Sequence, residues 1–294
     1  MFKHNETKGQ IARIRKNAWP LLLVAALCVS TPLHALVPPQ YTDNENYKAK
    51  GPVKRIVVKT FEAIDKFDHV ELGEMLEHPV IVDFSASGNP SRVTELNQKG
   101  DMLFYFTTEE KDGLPSTQKH YSNKEWMDAY STYEYKDKKL QSESVYNAEG
   151  QLVYSEVYTY NKAGKLLNVV RRNPRGEKLQ TIEYAYDNAG HCTMERQKGK
   201  EDRFIYQKNM IYDAQGRLTG EEHHNQAGTL TSKAEYTYDA NGNITNVRRS
   251  TTDGSVNTIR IAYDYDAQKN WTRCTIYAGE YVPTRVVTRV IEYR

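Results

Sequence analysis

The chain has 294 residues, 38% of them hydrophobic, with 40 Lys/Arg against 38 Asp/Glu and a mean hydropathy of -0.77. These values exclude a bundle of membrane helices and allow one or two globular domains. Tyrosine is the outlier, with 22 copies against 7 Phe and 3 Trp, and it suits half-buried strands, where the ring packs while the hydroxyl stays near water.

Residues 1–35 read as an export signal. Lys3, Lys8, Arg13, Arg15 and Lys16 precede an apolar core, Leu21 to Val29, and a small residue follows at Ala35. A helix needs about 20 apolar residues to span a bilayer, so this core is too short to cross one comfortably. Cleavage is expected after Ala35, leaving no membrane span; an uncleaved anchor or a lipoprotein on Cys28 is the alternative. The segment carries five Lys/Arg and one Glu, so the remainder holds 35 basic and 37 acidic residues, a formal net of -2. No basic stripe is left to meet nucleic acid. The expected location is the periplasm, the cell surface or the extracellular space.

Residues 36–52, with Pro38-Pro39 and many polar side chains, read as a flexible lead-in. From residue 53 to 294 a single all-β domain is expected. Ile56-Val57-Val58 and Val80-Ile81-Val82 favour strands, so 53–84 is read as a starting hairpin. Over 80–129 a degenerate pattern follows, with Gly88, Gly100 and Gly113 at 12- and 13-residue spacing. Over 130–294 the pattern is clear. Tyr160, Tyr186, Tyr212 and Tyr238 follow one another at steps of 26, and Tyr265 comes 27 further on. A fixed period marks a small unit stacked many times.

Each period holds two turns. Asn147-Ala-Glu-Gly150, Asn173-Pro-Arg-Gly176, Asp213-Ala-Gln-Gly216 and Asn225-Gln-Ala-Gly228 start with a side chain that can bond the turn backbone and end in Gly. That is the chemistry of a type I turn with a G1 bulge. Each unit is therefore a hairpin plus a return turn, with strands of about nine residues. Ile182-Tyr184-Tyr186, Ala234-Tyr236-Tyr238 and Ile261-Tyr263-Tyr265 share one face, and Glu183, Lys233, Glu235 and Arg260 the other. About fifteen or more such strands laid flat would expose a wide apolar face, which a soluble monomer does not tolerate. The antiparallel meander must curl into an open shell or barrel-like sheet, fold over itself, dimerise with a second copy, or be covered by a ligand.

The stretches Tyr236-Thr-Tyr238-Asp239-Ala-Asn-Gly242-Asn243-Ile244-Thr245 and Tyr212-Asp213-Ala-Gln-Gly216-Arg217-Leu218-Thr219 resemble the YD repeats of Rhs proteins, teneurins and insecticidal toxin complexes. The tail from Asp266 through Trp271 to Tyr293 is similar to small exported YD-repeat proteins of Bacteroidetes. In the large members such repeats wind into a hollow β-shell that encloses a toxin or forms an adhesive surface body, and that is what the resemblance implies. No toxin domain follows the repeats here and the Asp-Pro-x-Gly-Leu self-cleavage segment is absent. Encapsulation and autoproteolysis are therefore not carried over.

No catalytic or metal signature stands beside the repeat. Asp187, Asp213, Asp239 and Asp266 recur in register, but turn formation accounts for them. His223 and His224 are strand neighbours that must face opposite ways. Neither a nucleophile elbow nor CxxC or HExxH spacing is present. Cys192 sits where other repeats carry Leu166, Leu218, Ile244 and Trp271 and reads as a small buried apolar residue; a bridge to Cys274 requires the sheet to curl back on itself. The candidate ligand residues are the tyrosine ladder, Tyr160, Tyr186, Tyr212, Tyr238 and Tyr265, since aromatic platforms bind sugars or peptides; inner packing is the competing role. The expected function is a non-enzymatic binding scaffold for a glycan or protein partner, without cofactor. The alternative is a carbohydrate-active enzyme using carboxylates on the concave face. An outer-membrane barrel fits the strand length but not the polar dilution of the apolar face.

Overall fold

A computed structural model describes residues 49–122 and 125–294. The export signal expected over 1–35, and the lead-in as far as residue 48, lie outside the described residues. Strands occupy nearly everything else. They are β1 (Val53–Lys66), β2 (His69–Met75), β3 (Val80–Phe84), β4 (Pro90–Leu96), β5 (Met102–Lys111), β6 (Leu114–Tyr121) and β7 (Met127–Lys136). Next come β8 (Lys139–Asn147), β9 (Leu152–Tyr160), β10 (Leu166–Arg172), β11 (Lys178–Tyr186), β12 (Cys192–Lys198) and β13 (Phe204–Tyr212). The last are β14 (Leu218–His224), β15 (Leu230–Tyr238), β16 (Ile244–Thr251), β17 (Val256–Tyr265), β18 (Trp271–Ala278) and β19 (Val282–Tyr293).

The turn chemistry behaves as expected. At Asn161-Lys-Ala-Gly164 the Gly164 amide donates to the Asn161 carbonyl at 2.9 Å, and the Asn161 side chain accepts the Lys165 amide at 2.9 Å. Gly164 has φ +79°, a conformation that a Cβ disfavours. The same bonds recur down the chain, and at alternate turns the register shift falls beside a ladder tyrosine, as at Tyr186/Cys192 and Tyr238/Ile244. In the last copy Lys269 takes the glycine's place at φ 61°. Left-handed backbone costs a non-glycine residue about 1–2 kcal/mol, part of which glycine's greater unfolded freedom offsets. Lys269→Gly is expected to raise stability by about 0.5–1 kcal/mol in urea unfolding.

All neighbouring strands pair antiparallel, and the first strand closes the last. β1 zips to β19 from Val53↔Tyr293 to Glu62↔Arg285. The other edge of β1 is shared: residues 55–58 pair with β3 and residues 61–66 with β2. β2 and β3 therefore lie end to end as one broken strand, and 19 segments make a ring of eighteen staves. Strand directions alternate around an antiparallel ring, so only an even number of staves closes without a parallel seam. The 53–84 segment thus starts as a hairpin, β1–β2, and then completes the closure. Closing the ring encloses the apolar face within one chain.

The buried residues identify the inside. Away from the β1–β2 hairpin, a side chain on the outer face of a single-layered barrel has nothing above it, yet Glu195 is 0% exposed and Ser131 1%. Both share the face of the tyrosines, since Glu195 pairs with Tyr184 and Ser131 precedes Tyr133 by two. That face is therefore the concave one. Two apolar clusters line it, one on β8–β13 around Tyr158, Leu166 and Tyr184, the other on β15–β19 and β1 around Tyr236, Trp271 and Ile56. Cys192 and Cys274 are both buried there, six strands apart in order and not bridged to one another. On the outer wall, cross-strand ion pairs such as Lys198–Glu183 at 2.6 Å, Lys233–Glu222 at 2.6 Å and Arg248–Glu235 at 3.2 Å face water.

Candidate functional site

The ladder tyrosines stand half-buried along one rim of the inner wall, and their hydroxyls meet the main chain. Tyr160 donates to the Leu140 carbonyl at 2.7 Å, Tyr212 to Cys192 at 2.8 Å and Tyr238 to Leu218 at 2.5 Å. In each case the acceptor lies 20 residues upstream, just past the preceding bulge, where the register shift frees a carbonyl. Tyr265 departs from this pattern. It donates to the Asp239 carboxylate and accepts from Asn243 at 2.8 Å, while Tyr263 takes the carbonyl role towards Ile244 at 2.8 Å. Tyr186 is half-buried in the same row and packs on the Tyr158–Tyr184 cluster. The ring and hydroxyl together latch each hairpin to the turn before it.

The register aspartates serve their turns. Asp187 accepts the His191 amide at 2.8 Å, Asp213 the Arg217 amide at 2.9 Å, Asp239 the Asn243 amide at 2.9 Å and Asp266 the Asn270 amide at 2.9 Å. His223 and His224 do face opposite ways: His223 lies on the inner wall 3.3 Å from Glu221.

Sequence reasoning missed the charges placed among the inner tyrosines. On β8–β10, Glu143 faces Glu156 directly across the strand pair, and Glu156 faces Arg171. Arg171 reaches Glu156 at 2.7 Å and lies over the Tyr154 ring at 4.4 Å, while the Tyr158 hydroxyl donates to Glu156 at 2.9 Å. Burial, aided by the neighbouring Glu156 charge, pushes the Glu143 carboxyl up to about 7. A second network on β12–β15 holds Glu195, which accepts the Tyr206 hydroxyl, and Glu221, which meets Tyr236 at 3.0 Å and Lys208 at 3.8 Å. Burial alone would raise Glu221, but His223 and Lys208 together outweigh it and hold the carboxyl at about 2. One signal was legible in advance: these glutamates sit at tyrosine-face positions, Glu156 two residues before Tyr158.

A cleft of about 440 Å³ opens on the outer wall. The β1–β2 hairpin does not continue straight but folds back over β17 and β18. Arg273, level with Thr288 in the sheet, donates to the Val70 carbonyl near the hairpin tip. Gly73 permits the bend, because a Cβ there would come within 3.0 Å of Glu62. Asp65, Phe67, Asp68 and His69 form one side of the cleft, and Asp264, Arg273 and Tyr277 the other. Phe67 is fully exposed at φ 35°, a strained backbone for a bulky residue. His69, bonded to Asp68 at 2.7 Å and Glu71 at 3.2 Å, has its pKa raised, chiefly by Asp68. Arg260 lies over the Tyr277 ring at 3.7 Å.

Period, turns and latches together define the repeat, and residues 212–256 match the family model of the RHS Repeat. Residues 212–256 carry an RHS repeat. Among solved structures, the chain is similar to a porin-like protein from Bacteroides uniformis, at 14% identity and a TM-score of 0.44, covering 83% of this chain and 99% of that one. A porin-like protein from Bacteroides vulgatus is similar over the same shares at 9% identity and a TM-score of 0.36. The Tc holotoxin pore of Photorhabdus luminescens matches 73% of this chain at 13% identity and a TM-score of 0.32, and this chain spans 15% of it. No curated protein matches in sequence.

Proposed function

We propose that the barrel is an exported, non-enzymatic scaffold that binds a glycan in the outer cleft between the β1–β2 hairpin and β17–β18. The geometry of that cleft carries the reading. Two aromatic rings, Phe67 and Tyr277, the latter with Arg260 over one face, stand beside Asp65, Asp68, Asp264, His69 and Arg273. Stacking rings with a few polar groups around them are what a sugar needs, since its faces are apolar and its edges are hydroxyls. The ladder tyrosines supply the frame in this reading, because their hydroxyls are engaged by the chain itself.

The charged outer wall supports a barrel working in water. A lipid-facing barrel presents an apolar band, and each Lys or Arg at its midplane costs about 2–4 kcal/mol. Export rests on the features of residues 1–35. A protein ligand in place of a glycan is an outcome of the same test.

Full-length mature protein on a glycan array is expected to retain a defined set of sugars, with affinity falling at least tenfold in Tyr277→Ala and in Phe67→Ala. Retention unchanged in both variants would remove the cleft from consideration. The three cleft aspartates favour one second reading, glycoside hydrolysis. Turnover of a bound sugar that disappears in Asp264→Asn would replace binding by catalysis.

A further inference from the structure

The two inner-wall networks differ in their balance of charge. Around Glu195 and Glu221 there are two carboxylates, with Lys208 and His223 beside them. Around Glu143 and Glu156 there are also two, but Arg171 alone faces them, and its contact is with Glu156. When both carboxyls are ionised, this corner carries one uncompensated negative charge.

The same corner gathers buried oxygens that make no hydrogen bond of good geometry. Burial raises the pKa of Glu143 and of Tyr133, and the Ser131 hydroxyl is near enough to both to lower each in part. Glu143 Oε1, Ser131 Oγ, Gln118 Oε1 and Tyr133 Oη are buried without hydrogen-bond partners. Gln118, Ser131 and Glu143 are only 2%, 1% and 2% exposed. They are neighbours by register: Gln118 faces Ser131 across β6–β7, and Tyr133 faces Glu143 across β7–β8. The Gln118 amide nitrogen donates to Thr108 Oγ1 at 3.1 Å, and its oxygen is left without a partner. Buried polar atoms are almost always satisfied, and each one left over costs about 1–3 kcal/mol. Four together, all oxygen, one of them on a carboxylate, make a hard-cation donor set.

We propose that Glu143, Ser131, Gln118 and Tyr133 bind one monovalent alkali cation, Na⁺ or K⁺, on the inner wall of β6–β8. Its single charge completes the balance that Arg171 leaves short. The oxygens of Ser131, Gln118 and Tyr133 replace part of its hydration shell. The ion acts as a structural staple between three strands at the edge of the β8–β13 cluster, against which Tyr133 packs.

Thermal unfolding of the full chain at pH 8 in NaCl, KCl, CaCl₂ and choline chloride of equal ionic strength tests this. A cation at 100 times its Kd lowers the unfolding constant about 100-fold, and Tm is expected to rise by about 5 °C in NaCl or KCl over choline chloride. Glu143→Gln should abolish the difference, and Ser131→Ala, which removes one neutral donor, should shift its midpoint to higher salt. Equal Tm in alkali and choline salts overturns the proposal, because the oxygens then hold water only. An undiminished alkali effect in both variants also overturns it, as does a response to CaCl₂ alone. If Glu143→Gln fails to fold, Ser131→Ala still decides.

Discussion

Ile56→Asp is expected to unfold the barrel, and Ile56→Ala to cost about 2–5 kcal/mol. Ile56 is 0% exposed and sits at the closing seam, between Ile291 of β19 and Val82 of β3. An aspartate there would bury a carboxylate in the inner apolar cluster, which costs more than a cavity. A domain has only about 5–15 kcal/mol in total, so the seam has little reserve. The consequence reaches both ends of the chain, because β1 joins β19 and β3 at once. Far-UV circular dichroism and urea titration would show it. Val290→Thr, on the outer side of the same seam and 61% exposed, should stay within about 0.5 kcal/mol of the parent. Equal effects at the two positions would mean that the tyrosine face is not the enclosed one.

Arg171→Met is expected to destabilise by about 3 kcal/mol at pH 8, the lower end for breaking a buried pair, because Arg171 is itself about one-third exposed. It leaves Glu156 and Glu143 facing one another with no cation from the chain. Acid should rescue the variant, since protonating either carboxyl removes the repulsion. The sign in the parent protein follows from the same groups. Glu143 rises from an ordinary 4.5 to about 7, so the stability tied to its protonated form is complete below about 4.5 and is lost as pH climbs through 7. Glu221 falls from 4.5 to about 2, so its contribution is present above 4.5 and is lost as pH drops towards 2. Stability measured by urea titration from pH 3 to 9 should therefore peak between these flanks in a buffer containing only choline as added cation. For Arg171→Met the deficit should shrink on going from pH 8 to pH 5. A deficit independent of pH would show that packing by the guanidinium, and not its charge, matters at this site.

Much of the fold was legible because it is local. A type I turn with a bulge is specified within five residues, so Asn161 to Lys165 and its relatives could be placed from the sequence, and the 26-residue period followed. Alternation along Ile182-Tyr184-Tyr186 separated the two faces, since strand geometry sends successive side chains opposite ways. That a one-sided ribbon cannot stay flat and wet followed from the same pattern. The shared face of the five ladder tyrosines could be placed in the same way, and so could the turn role of the register aspartates.

What the tertiary structure decided depends on partners far apart in the chain. The pairing of Val53 with Tyr293, the end-to-end division of one stave between β2 and β3, and the count of eighteen all rest on contacts that no local signal encodes. The same holds for the sites. Glu143, Glu156 and Arg171 become one network only when three strands lie side by side, and a glutamate's burial is a property of its neighbours. The outer cleft exists because Arg273 holds the folded-back tip at Val70, some 200 residues earlier in the chain. Short-range chemistry set the turns, the strands and the choice of face. Long-range pairing set the closure and, with it, every place where charge or a ligand can be held.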